Sequence, residues 1–125
     1  MAAGTLVSSG SSASMPTGSG SERLRRAQIT GLSNDWQEIL SGTAGHIYTV
    51  LSIIFIDTQG ADGTIQIVIS AGGNDLYLLN TQSVGSTETF VWNDRFVLEE
   101  DDDLDVYNTC TNGDWYVSYI DQDWT

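Results

Sequence analysis

The sequence is short of several residue types on which active sites are commonly built. It has no lysine, and it has one histidine, one cysteine and one proline. A glycine-rich phosphate loop ends in lysine, so no such loop is present. A metal site made of several imidazoles is excluded within one chain, because His46 is the only histidine. An intrachain disulfide is excluded because Cys110 has no second cysteine to bond.

Long apolar segments are also missing. The longest apolar stretch, Val50–Ile56, is interrupted by Ser52, and it is far shorter than the roughly 20 residues that a membrane helix needs. The N-terminus lacks the positive start and the apolar segment of a secretory signal. We therefore expect no membrane as a partner.

The charge is strongly negative and unevenly distributed. The formal net charge is -13, and only one of the 17 acids but three of the four arginines precede Ala27. An acidic body repels the phosphates of nucleic acid, so we expect no nucleic acid as a partner. The pattern instead suggests a soluble acidic particle with a small basic segment at one end.

The basic segment consists of Arg23, Arg25 and Arg26 after Glu22. It can be a solvated hinge, a docking patch for an acidic surface such as that of a sister subunit, or a nucleic-acid contact. The third interpretation is the weakest, because no aromatic residues accompany the arginines. The three arginines are therefore candidate partner-binding residues.

Residues 1–21 are rich in glycine, serine and alanine and include Pro16. A segment of this composition cannot bury enough apolar surface to offset the entropy of ordering, so on its own it is a flexible tail. Against a partner it can order, and Leu6, Val7 and Met15 are the apolar side chains available for that contact. We expect an extended arm that binds neighbouring subunits.

The remainder of the chain alternates apolar and polar residues in short segments between turn formers. Period-2 alternation is typical of strands with one buried face, and no segment has a convincing helical period. The sequence therefore predicts an all-β fold, an antiparallel β-sandwich or jelly-roll-like body at residues 27–125, preceded by the arm and its basic link at residues 1–26. A helical turn at Asp35–Leu40 is an alternative to the second strand. The predicted strands are 27–32, 36–40, 46–57, 64–71, 76–80, 87–92, 96–98, 104–108 and 115–120.

Two of these segments carry more specific expectations. The strand at 46–57 is apolar almost throughout, which predicts cover on both of its faces, in the centre of the body or against another subunit. The last two strands are expected to form a hairpin about the turn at Asn112–Asp114, and residues 81–86 are expected to form a polar loop. One face of the last two strands should be buried, namely Leu104, Val106, Asn108, Trp115, Val117 and Tyr119.

The acidic run Glu99–Asp105 is the first candidate for a metal site. Asp101, Asp103 and Asp105 alternate, and carboxylate oxygens are the ligands that Ca²⁺ prefers. The run lacks the glycine and the closing glutamate of a calcium loop. The simpler interpretation is a solvated loop that prevents a sheet edge from pairing with other chains. These three residues are therefore weak metal candidates, and no cofactor is expected.

Other residue types offer little chemistry. Ser70 and Ser118 do not lie in a glycine-flanked nucleophile turn, and no carboxylate pair is marked out for glycoside hydrolysis. We expect no enzyme and no catalytic residue. Asp57 and Asp62 flank a glycine-containing turn and are expected to cap it. Cys110 is expected to be a buried, inert thiol.

The nine tryptophan and tyrosine residues can stack on sugars, but core and interface packing is the simpler role. Trp124 stands apart, because it lies next to the C-terminal residue after Asp121-Gln122-Asp123. We expect a partner subunit to cover it.

The order of several segments resembles small β-sandwich virion structural proteins of tailed bacteriophages, found as capsid decoration (cement) or tail-associated proteins. The resemblance covers about Thr43–Asp121. At Asp102 those proteins usually carry glycine, so the turn there is expected to differ. The segments that carry the likeness are Tyr48–Ile53, Ile65–Ile69, Phe96–Leu98, Asp103–Val106 and Val117–Ile120.

The resemblance implies a non-enzymatic virion protein at the phage particle surface. Such proteins form homo-oligomers, commonly homotrimers, and clasp the major capsid protein through extended arms. A capsid decoration protein is therefore the first functional hypothesis. A tail, fibre or baseplate component is the second, and a carbohydrate-binding β-sandwich module, with Ca²⁺ at the acidic run, is a third of a different class. A small hydrolase is the last.

Overall fold

The computed structural model of the chain describes residues 21–124. The predicted arm contacts Leu6, Val7 and Met15 lie outside the described residues. Among the described residues, every regular element is a β-strand. The strands are β1 (Glu22–Leu32), β2 (Asp35–Ser41), β3 (His46–Asp57), β4 (Gly63–Ala71), β5 (Asn74–Val84), β6 (Thr89–Trp92), β7 (Phe96–Leu98), β8 (Asp102–Asn108) and β9 (Gly113–Asp123).

The strands form two antiparallel sheets that pack face to face. The first sheet has the order β1-β9-β3-β6, and β7 pairs with β3 beside β6. The second sheet has the order β2-β8-β4-β5. Because β6 and β7 occupy successive parts of the same edge of β3, they act as one interrupted strand. The chain crosses repeatedly between the sheets in the order of a jelly roll, which confirms the predicted fold class.

The last two strands do not form the expected hairpin. β8 lies in the second sheet between β2 and β4, and β9 lies in the first sheet between β1 and β3. The predicted buried face is nevertheless right, because the two strands turn the same alternating residues toward each other across the core. Alternation fixes which side of a strand is buried but leaves open which strand it pairs with.

The core consists of residues contributed by both sheets. Phe55 and Trp115 pack with ring centroids 4.7 Å apart. Gly113 is required beside them, because a Cβ there would lie 2.6 Å from Cε1 of Phe55 and 2.8 Å from Oδ1 of Asn108. The largest fully buried apolar side chains are Trp115, Phe55, Ile53, Ile65, Ile67, Leu98, Leu104, Val50, Val106 and Val117.

Two further boundaries differ from the sequence prediction. The basic link is not outside the domain, because residues 22–26 form the first part of β1 and pair with residues 118–122 of β9. The polar segment 81–84 is not a loop but the end of β5, after a break in register near Thr81, which has a φ of 65°. Polar side chains are tolerated there because β5 is an edge strand.

β3 is not covered on both faces by the body itself, and cover of its outer face by another subunit stays a prediction. The strand is central in the first sheet, between β9 and the β6/β7 edge. Its inner face is buried, but its outer face is only partly covered, and Ile56 is exposed. β4 and β5 form a hairpin, with Gly72 and Gly73 at positive φ of 59° and 86° in the turn.

Candidate functional site

The outer face of the first sheet is largely apolar. Side chains directly opposite one another in the strand register share a face. The buried residues of β9 point to the core, so the residues between them, and their partners in β1 and β3, point outward. One outer row joins Leu24, Ile120, Thr49 and Val97 across four strands. The next apolar row joins Gln28, Tyr116, Ile54 and Val91. We call this surface the apolar face, formed by Leu24, Leu51, Ile54, Ile56, Val91, Val97, Tyr116 and Ile120.

Several of these side chains are open to solvent. Leu24 is 75% exposed, Val97 47%, Val91 46% and Ile56 39%. Between the apolar rows, Ser52 and Ser118 satisfy each other through a 2.8 Å hydrogen bond between their hydroxyl groups. A shallow depression of about 430 Å³ lies near the β1 side, and it is lined by Leu24, Arg25, Arg26, Leu51, Tyr116 and Ser118.

The three arginines of the basic link lie along β1, at the edge of this sheet. Arg26 is opposite Ser118 and so belongs to the apolar face, where it is exposed. Arg25 points to the other side, and its Nη1 lies 3.6 Å from Oδ2 of Asp121. The structure therefore separates the roles of these candidates. Arg25 pairs within its own chain, Arg23 lies on the same side of β1 opposite Asp121, and Arg26 presents charge on the apolar face.

The outer face of the second sheet has the opposite character. One row joins Trp36, Tyr107 and Gln66, the next joins Glu38, Asp105, Val68 and Tyr77, and a third joins Ser41, Asp103, Ser70 and Asp75. No cation lies on it, because all four cations of the chain are in or beside the first sheet. We call this surface the acidic-aromatic face, formed by Trp36, Glu38, Asp75, Tyr77, Asp103, Asp105 and Tyr107.

The centre of the acidic-aromatic face is a depression of about 280 Å³, lined by Trp36, Val68, Asp75, Tyr77 and Asp105. The Trp36 and Tyr107 rings pack beside it, with centroids 4.9 Å apart. Burial, and then the neighbouring carboxylates of Asp103, Glu38 and Asp75, raise the pKa of Asp105. The site therefore concentrates negative charge beside exposed aromatic rings, which is an arrangement that attracts cations.

The predicted metal residues are only partly brought together. Asp103 and Asp105 lie on the acidic-aromatic face, whereas Asp101 lies in the turn before β8. Asp103 is engaged elsewhere, since its Oδ1 accepts a 2.8 Å hydrogen bond from the Ser41 hydroxyl. Within residues 21–124, no group of three or more His, Cys, Asp or Glu side chains is placed to hold a metal ion.

A polar cluster at one end of the first sheet joins three strands. His46 Nδ1 lies 2.7 Å from Oδ1 of Asp121, and His46 Nε2 lies 3.6 Å from Oδ1 of Asp123. Asp121 is buried and also faces Arg25. Both ring nitrogens of His46 thus face carboxylates, so the cluster ties β1, β3 and β9 together.

A second polar group lies inside the core and joins the two sheets. The Trp115 indole donates to Oδ1 of Asn108 at 2.9 Å, and Asn108 Nδ2 donates to the carbonyl of Leu32 at 2.9 Å. Cys110 is buried beside this group. Burial, and then the charge of Asp57, raise the pKa of the Cys110 thiol, as expected for an inert cysteine.

Asp57, Asp62 and Trp124 contact their own chain. Asp57 Oδ1 accepts from the backbone of Gln59 at 3.0 Å, which confirms its role as a turn cap. Asp62 instead accepts from the backbone of Ser86 at 2.9 Å. The Trp124 backbone N–H donates to the Gly45 carbonyl at 2.7 Å. Its indole nitrogen is buried but has no hydrogen-bond partner among the described residues.

Among residues 21–124, no helix is long and apolar enough to cross a bilayer.

Two comparisons with known proteins find nothing. No protein-family model matches this chain, and no curated protein matches it.

Solved structures do match. A protein of Bacillus endospore appendages, described as a family of disulfide-linked pili, is similar with a TM-score of 0.53 and 14% sequence identity. That match covers 95% of this chain and 100% of the other. A chain from the crystal structure of the IBDV viral particle is similar with a TM-score of 0.47 and 7% identity, over 96% of this chain and 40% of the other. The first likeness shows that this chain shares its fold with a pilus-like appendage protein.

Proposed function

We propose that this chain is a non-enzymatic structural subunit of a virus particle or of a pilus-like appendage. The observation that carries the proposal is the apolar face, which has two largely apolar rows, separated by Arg26, Ser118 and Ser52, on a sheet whose other side is already packed on the core. Contiguous exposed apolar surface on a soluble domain marks a site of protein contact. An assembly subunit needs such a surface, whereas a free-standing enzyme does not.

The fold and its neighbours support this class. Jelly rolls serve as viral capsid domains and as lectin domains, so the fold alone leaves both roles open. The likeness to the Bacillus appendage protein spans that chain from end to end, so a single domain of this size is sufficient for a pilus subunit. Those pili are described as disulfide-linked. Cys110 is the only cysteine here and is buried, so contacts between copies of this chain would be noncovalent.

Within this class, the resemblance to phage proteins favours a capsid decoration protein on the virion surface. In that role the jelly roll would sit outside the shell and residues 1–26 would help to bind the major capsid protein, with copies grouped as homotrimers. A tail, fibre or baseplate component, or a self-assembling pilus-like subunit, would use the same apolar face. These roles differ in whether the chain assembles alone or only on another protein.

A carbohydrate-binding module is the second candidate, and a specific observation favours it. Trp36 and Tyr77 line the depression of the acidic-aromatic face together with Asp75 and Asp105. Aromatic rings beside carboxylates can stack on and hydrogen-bond to sugars. Its test is a glycan array in the presence and absence of a chelator.

The structural role is tested with the purified full-length chain and with a form that lacks residues 1–21. Electron microscopy and sedimentation velocity should show rings or filaments, or binding to preformed capsids, for the full-length chain. A folded monomer that binds neither itself nor a capsid, but binds a glycan, would overturn the proposal. Loss of particle binding on deletion of residues 1–21, with the fold intact, would assign the anchor to the arm.

A further inference from the structure

We propose that the two outer faces of the sandwich bind each other in successive copies of this chain, the apolar face of one copy against the acidic-aromatic face of the next. The proposal rests on the structural role proposed above and names the surfaces and the partner. It is argued from charge complementarity and from the apolar character of the two faces.

The charges of the two faces are complementary. Arg26 lies on the apolar face, opposite Ser118, and is exposed. Glu38, Asp75, Asp103 and Asp105 lie on the acidic-aromatic face, which carries no cation of its own. Opposite potentials on two surfaces steer their encounter and fix their orientation.

The uncharged groups are complementary as well. Leu24 and Val97 offer exposed aliphatic surface at the two edges of the apolar face. Trp36 and Tyr77 are exposed on the other face, 42% and 47% respectively. Aromatic rings packed on aliphatic surface, with arginine among them, are typical of the centres of protein interfaces.

The surroundings of Asp105 favour binding of a cation at the acidic-aromatic face. This residue is half-buried between the carboxylates of Glu38 and Asp103, and no arginine or lysine of its own chain faces it. Like charges directly opposite on a sheet are unfavourable. An arginine from a neighbouring copy would relieve that repulsion and can stack on the adjacent Trp36 ring.

A second copy is a better partner for these surfaces than an unrelated protein, because one chain carries both complementary faces. The basic segment lies on the first sheet and the unbalanced acids lie on the outer surface of the second, so the two cannot meet within one molecule. An interface between two different surfaces is heterologous. It generates a ring when the rotation closes and a filament when it does not.

The test uses two full-length variants that each damage one face. Arg26→Glu reverses the exposed cation of the apolar face, and Glu38→Arg reverses an exposed acid of the acidic-aromatic face. Arg95→Glu and Glu100→Arg are matched controls that make the same charge changes in the loops β6–β7 and β7–β8, at residues that belong to neither face. Circular dichroism and thermal unfolding establish that each variant is folded before assembly is compared.

Sedimentation velocity and mass photometry at low salt should show wild type and both controls assembling. Each face variant alone should associate at least about tenfold more weakly, because a close charge pair across an interface is broken and reversed. A mixture of the two variants should regain complexes that contain both chains, because each variant keeps the one face that the other has lost, and the two reversed charges are also opposite in sign.

Each other outcome overturns the inference. Assembly of both face variants like wild type would show that copies meet elsewhere, while leaving the structural role in place. Loss of assembly in only one of the two face variants would show an interface between like faces, and two face variants that stay monomeric when mixed would show that the two faces do not bind each other. If a glycan or basic peptide binds wild type but not Glu38→Arg, and both proteins assemble equally, the acidic-aromatic face binds that ligand and not a second copy. A wild type that neither assembles nor binds a capsid would overturn the structural role as well.

Discussion

The outer face of the second sheet follows the common rule for an antiparallel sheet, and the outer face of the first sheet breaks it. An antiparallel sheet with one side on a core usually exposes polar residues on its other side. β8 obeys, with Asp103, Asp105 and Tyr107 outward between buried Leu104 and Val106. β3 and β6 do not, with Ile54, Ile56 and Val91 outward. Folding of one chain explains the polar outer face of the second sheet. It does not explain the apolar outer face of the first sheet.

The inner faces of the two sheets, in contrast, are alike and interdependent. Both are apolar, and one hydrogen-bonded group joins them through Asn108 of the second sheet and Trp115 of the first. Damage to the core should therefore destabilise both sheets, whereas a change on one outer face should affect that face alone.

The largest effect is expected for Asn108→Ala. The change removes the acceptor for the buried Trp115 indole and one donor to the Leu32 carbonyl. Each unsatisfied buried group costs about 1–3 kcal/mol, so the free energy of unfolding should fall by about 3 kcal/mol or more. Urea unfolding followed by tryptophan fluorescence measures the loss.

Thr111→Ala, at an exposed position nearby, is the matched control and should stay within about 0.5 kcal/mol of wild type. If Asn108→Ala costs no more than that control, the sheets do not depend on this link.

The second prediction concerns the first sheet alone. Asp121→Ala removes the carboxylate that faces His46 at 2.7 Å and Arg25 at 3.6 Å. The arginine contact is half-exposed and contributes little, whereas the buried contact to His46 contributes more. We expect a loss of about 1–2 kcal/mol in the free energy of unfolding, measured by urea titration.

A double-mutant cycle supplies the control for this cluster. His46→Ala and Asp121→Ala should be clearly non-additive when combined, because each removes the same contact. Additive losses would mean that the two side chains stabilise the fold independently.

The sequence predicts the strands of this fold better than it predicts their partners. Alternation places the buried side of β8 and β9 correctly, because period 2 is a local property of each strand. Their assignment to opposite sheets depends on contacts far apart in the chain, and a turn such as Asn112–Asp114 is compatible with either arrangement. The same limit explains why Arg23, Arg25 and Arg26 read as a link, although residues 22–26 pair with β9.

The candidate surfaces are predictable only in part. The acids of the run 99–105 are visible in the sequence, but their convergence with Glu38, Asp75 and Trp36 requires the pairing of β2, β4, β5 and β8. The apolar face has a signal that could have been found. A strand such as 46–57, which is apolar almost throughout, has apolar residues on both of its faces. The sequence therefore predicts that the second face is covered by the body or by another subunit.

The third prediction concerns the second sheet alone and has the opposite sign. Asp105→Asn removes a charge that faces Glu38 of β2, Asp75 of β5 and Asp103 of its own strand. The variant should be more stable than wild type near neutral pH by about 0.5 kcal/mol, as expected for relief of like charges on one sheet face. The same variant should assemble less well, because it weakens the cation-attracting site.

The pH dependence of this gain follows from the raised pKa of Asp105. A carboxyl group whose folded pKa is above its unfolded pKa destabilises the fold when both states are ionised, and the penalty disappears once both are protonated. The stability advantage of Asp105→Asn should therefore shrink as the pH falls through the folded pKa and vanish below the unfolded value of 3.8. Urea titrations at several pH values measure it, with Glu100→Gln as the control. A gain that grows on acidification would contradict the assignment.

The smallest effect is expected on the apolar face. Val97→Thr places a hydroxyl on a side chain that is 47% exposed, so the free energy of unfolding should change by less than about 0.5 kcal/mol. The matched change in the second sheet, Val106→Thr, buries a hydroxyl in the core and should cost about 2 kcal/mol. If Val97→Thr leaves unfolding unchanged but weakens association, the apolar face serves contact between copies. If it destabilises the monomer as much as Val106→Thr does, that face belongs to the folded core and the contrast between the two sheets is lost.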